Sequence, residues 1–127
     1  MSYLLDTHSF LWFVNNDSQL SHSACHAIAT SKIVYVSMAS IWEIAIKYKL
    51  GKIVLPSDFS HFIPYHIHKN MFEILPIHFE HIAKTNTLDF FHRDPFDRLL
   101  IAQAICEKLT LISKDSKLSD YPVQLYW

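Results

Sequence analysis

Apolar residues in this chain come mostly in short unbroken runs, set apart by stretches with helical spacing. Tyr3–Leu5, Ile33–Ser37, Phe72–Leu75, Thr110–Ser113 and Val123–Leu125 read as strands. Between them, Thr7–Val14, Ser21–Thr30, Ser40–Leu50, Asp58–Lys69, His78–Asn86 and Pro95–Lys108 read as helices. Ser21, Ser57 and Asp94 stand where N-caps belong, Pro95 opens the last helix, and Gly51 follows the third. Pro64 bends or breaks the fourth. A strand with no polar alternation must be covered on both faces. The pattern therefore predicts an α/β fold, a small mostly parallel β-sheet flanked by α-helices. The 127 residues suit one domain over 1–127, with no repeat or linker.

Composition removes several function classes. Half the residues are hydrophobic and 18% are charged, which excludes a disordered chain. Asp6 interrupts the first apolar run, no basic segment precedes it, and no apolar stretch is long enough for a membrane span. A cytoplasmic protein is expected, with Cys25 and Cys106 as reduced, core-facing thiols. The net charge of −1 leaves no broad basic field, so any attraction to nucleic acid must be local or metal-mediated.

Four carboxylates fall at element junctions. Asp6 follows the first strand, Glu43 and Asp97 lie in the first turns of helices, and Asp115 follows the fourth strand. In open α/β sheets, ligands sit outside the carboxyl ends of strands. Each acid also has an ordinary structural explanation. Asp6 and Asp94 can cap helices, Ser40 and Glu43 fit a capping box, Glu43 precedes Lys47 by four residues, and Asp115 fits a turn. Context favours chemistry at two of them. Glu43 lies within Ile41-Trp42-Glu43-Ile44-Ala45-Ile46, where an acid is costly unless paired, neutralised or bound to a cation. Asp97 shares a helical face with Leu100, Ile101 and Ala104. Oxygen-only ligands suit Mg²⁺ or Mn²⁺, and such sites usually perform phosphate chemistry. Lys47, Lys49, Lys52, Arg93 and Arg98 are candidates to hold an anionic backbone, or else form a solvated face.

The motifs then resemble a known family. Leu4-Leu5-Asp6-Thr7-His8, Ser37-x-x-Ser40-x-Trp42-Glu43-Ile44-Ala45-Ile46-Lys47, His92-Arg93-Asp94-Pro95-Phe96-Asp97-Arg98-Leu99-Leu100-Ile101-Ala102-Gln103-Ala104 and Leu111-Ile112-Ser113-x-Asp115 are similar to PIN-domain proteins. The resemblance is to the VapC-type toxins of type II toxin–antitoxin pairs. It implies a PIN fold and a Mg²⁺- or Mn²⁺-dependent endoribonuclease, leaving 5′-phosphate and 3′-hydroxyl ends. It maps Asp6, Glu43 and Asp97 onto three principal acids and Asp115 onto a more variable fourth. Ser37 maps onto a small polar position near the site, and Asp94 either assists Asp97 or caps its helix. Ser113 stands where Thr is frequent. Leu88-Asp89-Phe90-Phe91 departs from a more usual Pro-containing approach, which touches loop shape and substrate choice. The resemblance further implies a homodimer and a small antitoxin that blocks the acidic cleft. Thr7, His8, Ser37, Lys47, His92, Arg93, Asp94, Arg98 and Ser113 are the candidate contacts for RNA or antitoxin.

The remaining features have plainer readings. No zinc-type spacing exists among the nine histidines, so all but His8 and His92 read as surface or helix-face residues. Trp12 and Trp42 read as packing residues beside the site, and Trp127 as cover for a sheet edge. Two other functions stay open: a non-catalytic binding module, and a phosphoacceptor using Asp6 with Lys114. The latter lacks a second Asp two residues after Asp6 and leaves Glu43 and Asp97 without a task.

Overall fold

The computed structural model describes residues 1–127. In chain order it contains β1 (Tyr3–Leu5), α1 (Thr7–Val14), α2 (His22–Thr30), β2 (Val34–Ser37), α3 (Met38–Lys49), α4 (Phe59–Lys69), β3 (Glu73–Leu75), α5 (Phe79–Thr85), α6 (Pro95–Glu107), β4 (Thr110–Ile112), a 3-10 turn at Ser116–Asp120, and β5 (Leu125–Tyr126). The strands form one sheet in the order β3-β2-β1-β4-β5, and every pairing is parallel. This is the α/β architecture that the short apolar runs predict.

Strand alternation divides the core. Tyr3, Leu5, Val34, Val36 and Ile112 face one side, with Phe10, Leu11, Ala24, Ile28, Ile44, Phe62 and Ile63 from the helices. Leu4 and Leu111 face the other, with Leu100, Ile101 and Ala104 of α6 and with Leu118 and Tyr121. Leu4, Leu5, Leu111 and Ile112 are wholly buried, each stabilising the fold by roughly 1.5–3 kcal/mol.

The register places the site. Leu5 lies beside Val36 on one side and Ile112 on the other, so β1, β2 and β4 end level. The chain runs outward from β1 through β2 to β3, then returns on the far side as β4. The crevice between the carboxyl ends of β1 and β4 is therefore a topological switch point, where α/β sheets accommodate ligands.

Several local expectations are corrected. β2 enters α3 with no loop, and Ser37, not Ser40, caps the helix by accepting from Ala39 N at 3.0 Å. Ser40 lies inside α3 with its Oγ buried and unpartnered, so it forms no capping box with Glu43. Asp58, not Ser57, caps α4, and that helix continues through Pro64. Cys25 is exposed because α2 turns Ala24, Ala27 and Ile28 inward, and Cys106 is only half-buried, so neither is a core thiol. Trp42 is 60% exposed, with its ring set across that of Phe96 at 5.5 Å between centroids, so it is not a buried packing residue. Gly51 adopts φ +73° immediately after α3, a conformation that a side chain would strain. No helix is long and apolar enough to cross a membrane.

Candidate active site

Asp6 leaves β1 and caps α1. Its backbone N–H donates to Ile112 O at 3.1 Å, tying it to the end of β4. Its Oδ1 accepts from Ser9 N at 2.9 Å, and Oδ2 has no protein partner. The cap and the site are thus the same carboxylate, using different oxygens.

Glu43 projects from the second turn of α3 and is buried. Thr7 Oγ1 donates to its Oε1 at 2.5 Å, and the Lys47 ammonium sits 2.6 Å from Oε2. The cost of burying this acid is offset by a hydroxyl from α1 and a cation one turn along its own helix. Lys47 is held above its ordinary pKa, first by this hydrogen bond and further by the charges of Glu43, Asp94 and Asp97, against the opposing effect of its burial.

Asp97 lies in the first turn of α6. Asp94 caps that helix, its Oδ1 accepting from Phe96 N at 2.8 Å and Asp97 N at 3.3 Å. Burial drives the Asp97 carboxyl up to about 7, and the negative charges of Asp94, Asp6 and Glu43 add to the effect while His92 opposes it. Asp115 starts the 3-10 turn. Its Oδ1 accepts from Lys117 N at 3.0 Å, and its N–H donates to Ser113 Oγ at 3.1 Å.

His92 joins the last two acids. The Asp94 backbone N–H donates to its Nδ1 at 3.1 Å. A backbone N–H can only donate, so Nδ1 accepts and the ring proton lies on Nε2. Nε2 stands 3.2 Å from Asp115 Oδ2 and 3.4 Å from Asp97 Oδ2. In this arrangement His92 donates to the carboxylates instead of offering a lone pair to a metal. The structure thus brings the predicted acids to one end of the sheet: Asp97 lies in the fields of Asp6 and Glu43, and Asp115 joins through His92.

A family model for the PIN domain matches residues 3–124. The chain belongs to the PIN domain family. No curated protein sequence matches it. Among solved structures, this PIN domain is similar to VapBC2 from Rickettsia felis, bound to a promoter DNA fragment: TM-score 0.75, 17% identity, 99% of this chain and 98% of the other covered. It is also similar to DNA-bound VapBC from Salmonella typhimurium, with TM-score 0.73, 13% identity, and 99% and 97% covered. A third likeness is to FitAcB from Neisseria gonorrhoeae, with TM-score 0.71, 16% identity, and 98% and 96% covered.

Four expected contact residues of this PIN domain turn inward. Thr7 is held by Glu43, and Ser37 is wholly buried, its Oγ 2.5 Å from Gln103 Oε1. Ser113 is buried behind Asp115. Arg98 is 7% exposed and donates to the carbonyls of Thr85, Leu88 and Asp89 and to the Tyr121 hydroxyl. It fastens the irregular stretch before α6, and the Phe90 ring lies 4.1 Å from its guanidinium carbon. None of these four is open to a substrate or partner. Lys47 faces the acids, and Asp94 caps. His8 and Arg93 are exposed.

One polar group departs from the expectation of surface histidines. His81 of α5 is fully buried. The His78 N–H donates to its Nδ1 at 3.1 Å, and its Nε2 lies 2.9 Å from Glu107 Oε2. Gln103 Nε2 lies 3.3 Å from the same Nδ1 and donates to Pro76 O at 3.2 Å. The His78/His81 spacing was the only sequence signal for this cluster. The largest cavity, about 720 Å³, is apolar and lies between α3, α4 and β3, away from the acids.

Proposed function

We propose that this PIN domain is a metal-dependent endoribonuclease, the toxin of a type II toxin–antitoxin pair. The observation that carries the reading is the convergence of Asp6, Glu43 and Asp97, from three different elements, with Asp97 raised to about 7 by burial and like charge. A site that holds its acids in mutual repulsion gains from a divalent cation. The donors are carboxylate oxygens, which fit Mg²⁺ or Mn²⁺. Asp6, Glu43, Asp97 and Asp115 would hold the ion. When bound, it supplies charge neutralisation at the scissile phosphate and activation of water.

The protein's own groups do the remaining work. Asp6 presents its free Oδ2 while the α1 cap fixes its orientation. Thr7 and Lys47 fix the Glu43 carboxylate, and His92 restrains Asp97 and Asp115 as a pair. No side chain is needed as a covalent nucleophile. The VapBC neighbours support an antitoxin partner for this chain. Large exposed apolar side chains, Trp42, Phe79, Phe90 and Phe91 among them, support a homodimer or antitoxin interface.

One observation favours a non-catalytic binding module instead: the Lys47 ammonium already supplies countercharge to Glu43, and His92 already donates toward Asp97 and Asp115. The test is incubation of antitoxin-free protein with single-stranded and structured RNA, with Mg²⁺ or Mn²⁺ and with EDTA, beside Asp97→Asn. Cleavage that needs the metal and disappears in the variant is expected. A folded wild type that binds neither ion and cleaves nothing sinks the nuclease reading in favour of the binding module.

A further inference from the structure

Beside the acids lies a small pocket of about 220 Å³, lined by Asp6, His8, Trp12, Lys114 and Asp115. Resting on the nuclease reading, we propose that it is a subsite for one unpaired nucleotide next to the scissile bond. Trp12 and His8 receive the base, and Lys114 receives a phosphate.

Position is the first argument. Asp6 and Asp115 are walls of this pocket and members of the acidic cluster, so an occupant abuts the reacting centre. The pocket opens at the β1/β4 switch point, where the fold accommodates ligands.

Size is the second. A volume of 220 Å³ is below the roughly 300–1,000 Å³ of pockets for drug-sized molecules. It suits one ring system. A base held in a duplex stack cannot enter it, whereas an unpaired base can be splayed into it.

Lining chemistry is the third. Trp12 is the one hydrophobic wall, and its indole is set by Trp127, packed edge-on at 6.0 Å between ring centroids. Exposed His8 stands beside it, ring centroids 5.4 Å apart. Two neighbouring aromatic rings at a pocket mouth form a platform for a base. The Lys114 ammonium lies 5.9 Å from the Trp12 centroid, at the outer limit of a cation–π contact. Although Asp6 and Asp115 line the same pocket, Lys114 forms no salt bridge with either. It is an exposed cation without a carboxylate partner, available to an incoming phosphate. The competing occupant is an arginine from a protein partner, whose guanidinium would stack on Trp12 and pair with Asp6 and Asp115, and the test separates the two.

The test is binding of a fluorescent single-stranded RNA hexamer and of the matching blunt duplex, with Ca²⁺ in place of Mg²⁺. His8→Ala and Lys114→Ala alter exposed side chains and should leave thermal unfolding unchanged. Trp12→Leu removes the ring but keeps an apolar side chain against Trp127. If it does not fold, the two surface variants still decide. Trp12→Leu should weaken single-strand binding about tenfold and duplex binding little. Lys114→Ala should lower the slope of log K against log salt by about 0.7, the contribution of one phosphate contact on a single strand. A purely structural lysine would not change that slope.

Cleavage is measured separately, with Mg²⁺ and Mn²⁺. Single-strand binding that depends on Lys114, with no cleavage by the wild type, supports the subsite and overturns the nuclease reading. Cleavage with KM unaltered in Lys114→Ala and His8→Ala overturns the subsite and leaves the nuclease. Variants that bind RNA normally but lose affinity for an arginine-rich peptide also overturn it, because the pocket then docks protein.

Discussion

Two histidines in this chain sit against carboxylates, and their surroundings differ. His81 is fully buried, its Nδ1 accepts from a backbone N–H, and Nε2 reaches one carboxylate, Glu107, at the protein surface. Gln103 extends the set, linking it to Pro76 O and to Ser37. Donors and acceptors match. His92 also accepts through Nδ1, but its Nε2 is shared by two carboxylates, and one of them, Asp97, lies in the field of further acids and is pushed up to about 7. The residue types alone do not separate the two; Glu80, His81 and Glu107 are as close together as His92, Asp97 and Asp115. What separates them is excess like charge at the carboxyl edge of a parallel sheet. The first cluster is balanced by its own partners, whereas the second holds like charges close together.

The largest expected effect tests that division directly. Asp97→Asn should reduce RNA cleavage by about 10²–10³-fold, as removal of a charge-stabilising group does in other active sites. Glu107→Gln should leave cleavage within a factor of about two, since it alters the other cluster only. Initial rates on one RNA at saturating Mn²⁺ compare them. Equal losses would make the two clusters one functional unit.

Stability should show the reverse ranking. His81→Ala removes a buried ring and strands the His78 N–H and Gln103 amide, so a loss of about 2–4 kcal/mol is expected from urea unfolding. His92→Ala lies at a partly exposed position and should cost under about 1 kcal/mol without metal. A larger loss at His92 would mean that the open cluster also holds the fold together.

These contrasts bear on what could be read from residues alone. The strands were legible because unbroken runs such as Tyr3–Leu5 and Thr110–Ile112 leave no polar face. The convergence of Asp6 with Asp115 followed from parallel strands ending level. α1 was placed correctly because Asp6 ends the strand and caps the helix at once. α3 was not, because Ser37 and Ser40 offer equivalent hydroxyls, and only the absence of a loop after β2 decides between them. Arg98 and His81 were misread for a different reason. A long polar side chain is buried only when the chain supplies enough partners, and those come from an irregular stretch at Thr85–Asp89 and from a neighbouring helix. No periodicity encodes either source.

Protonation sharpens the comparison further. Asp97 has a folded pKa raised from 3.8 to about 7, so the folded chain holds a proton that the unfolded chain has released. The contribution of this group to stability is therefore present below about pH 4 and lost as pH rises through 7. The loss has an upper bound of about 4 kcal/mol, and ~1–3 is expected after structural relaxation. Urea midpoints in EDTA should fall between pH 5 and pH 8 for the wild type and stay flatter in Asp97→Asn. Mn²⁺ should stabilise the wild type more at pH 8 than at pH 5. A wild-type profile as flat as the variant's would show that Asp97 ionises normally.

The smallest effect separates two roles of Asp94. Its Oδ1 caps α6 through Phe96 N and Asp97 N, and its charge is the second cause of the displaced Asp97 carboxyl. Asn caps helices about as well as Asp, whereas Ala does not. Asp94→Ala should cost about 1 kcal/mol of stability, and Asp94→Asn much less. Both substitutions remove the charge, so in both the stability transition assigned to Asp97 should move to lower pH. If Asp94→Asn cleaves RNA normally, Asp94 serves as a cap and a source of charge. If it is as inactive as Asp97→Asn, Asp94 shares the ligand role, and the open cluster has one more acid than Asp6, Glu43, Asp97 and Asp115.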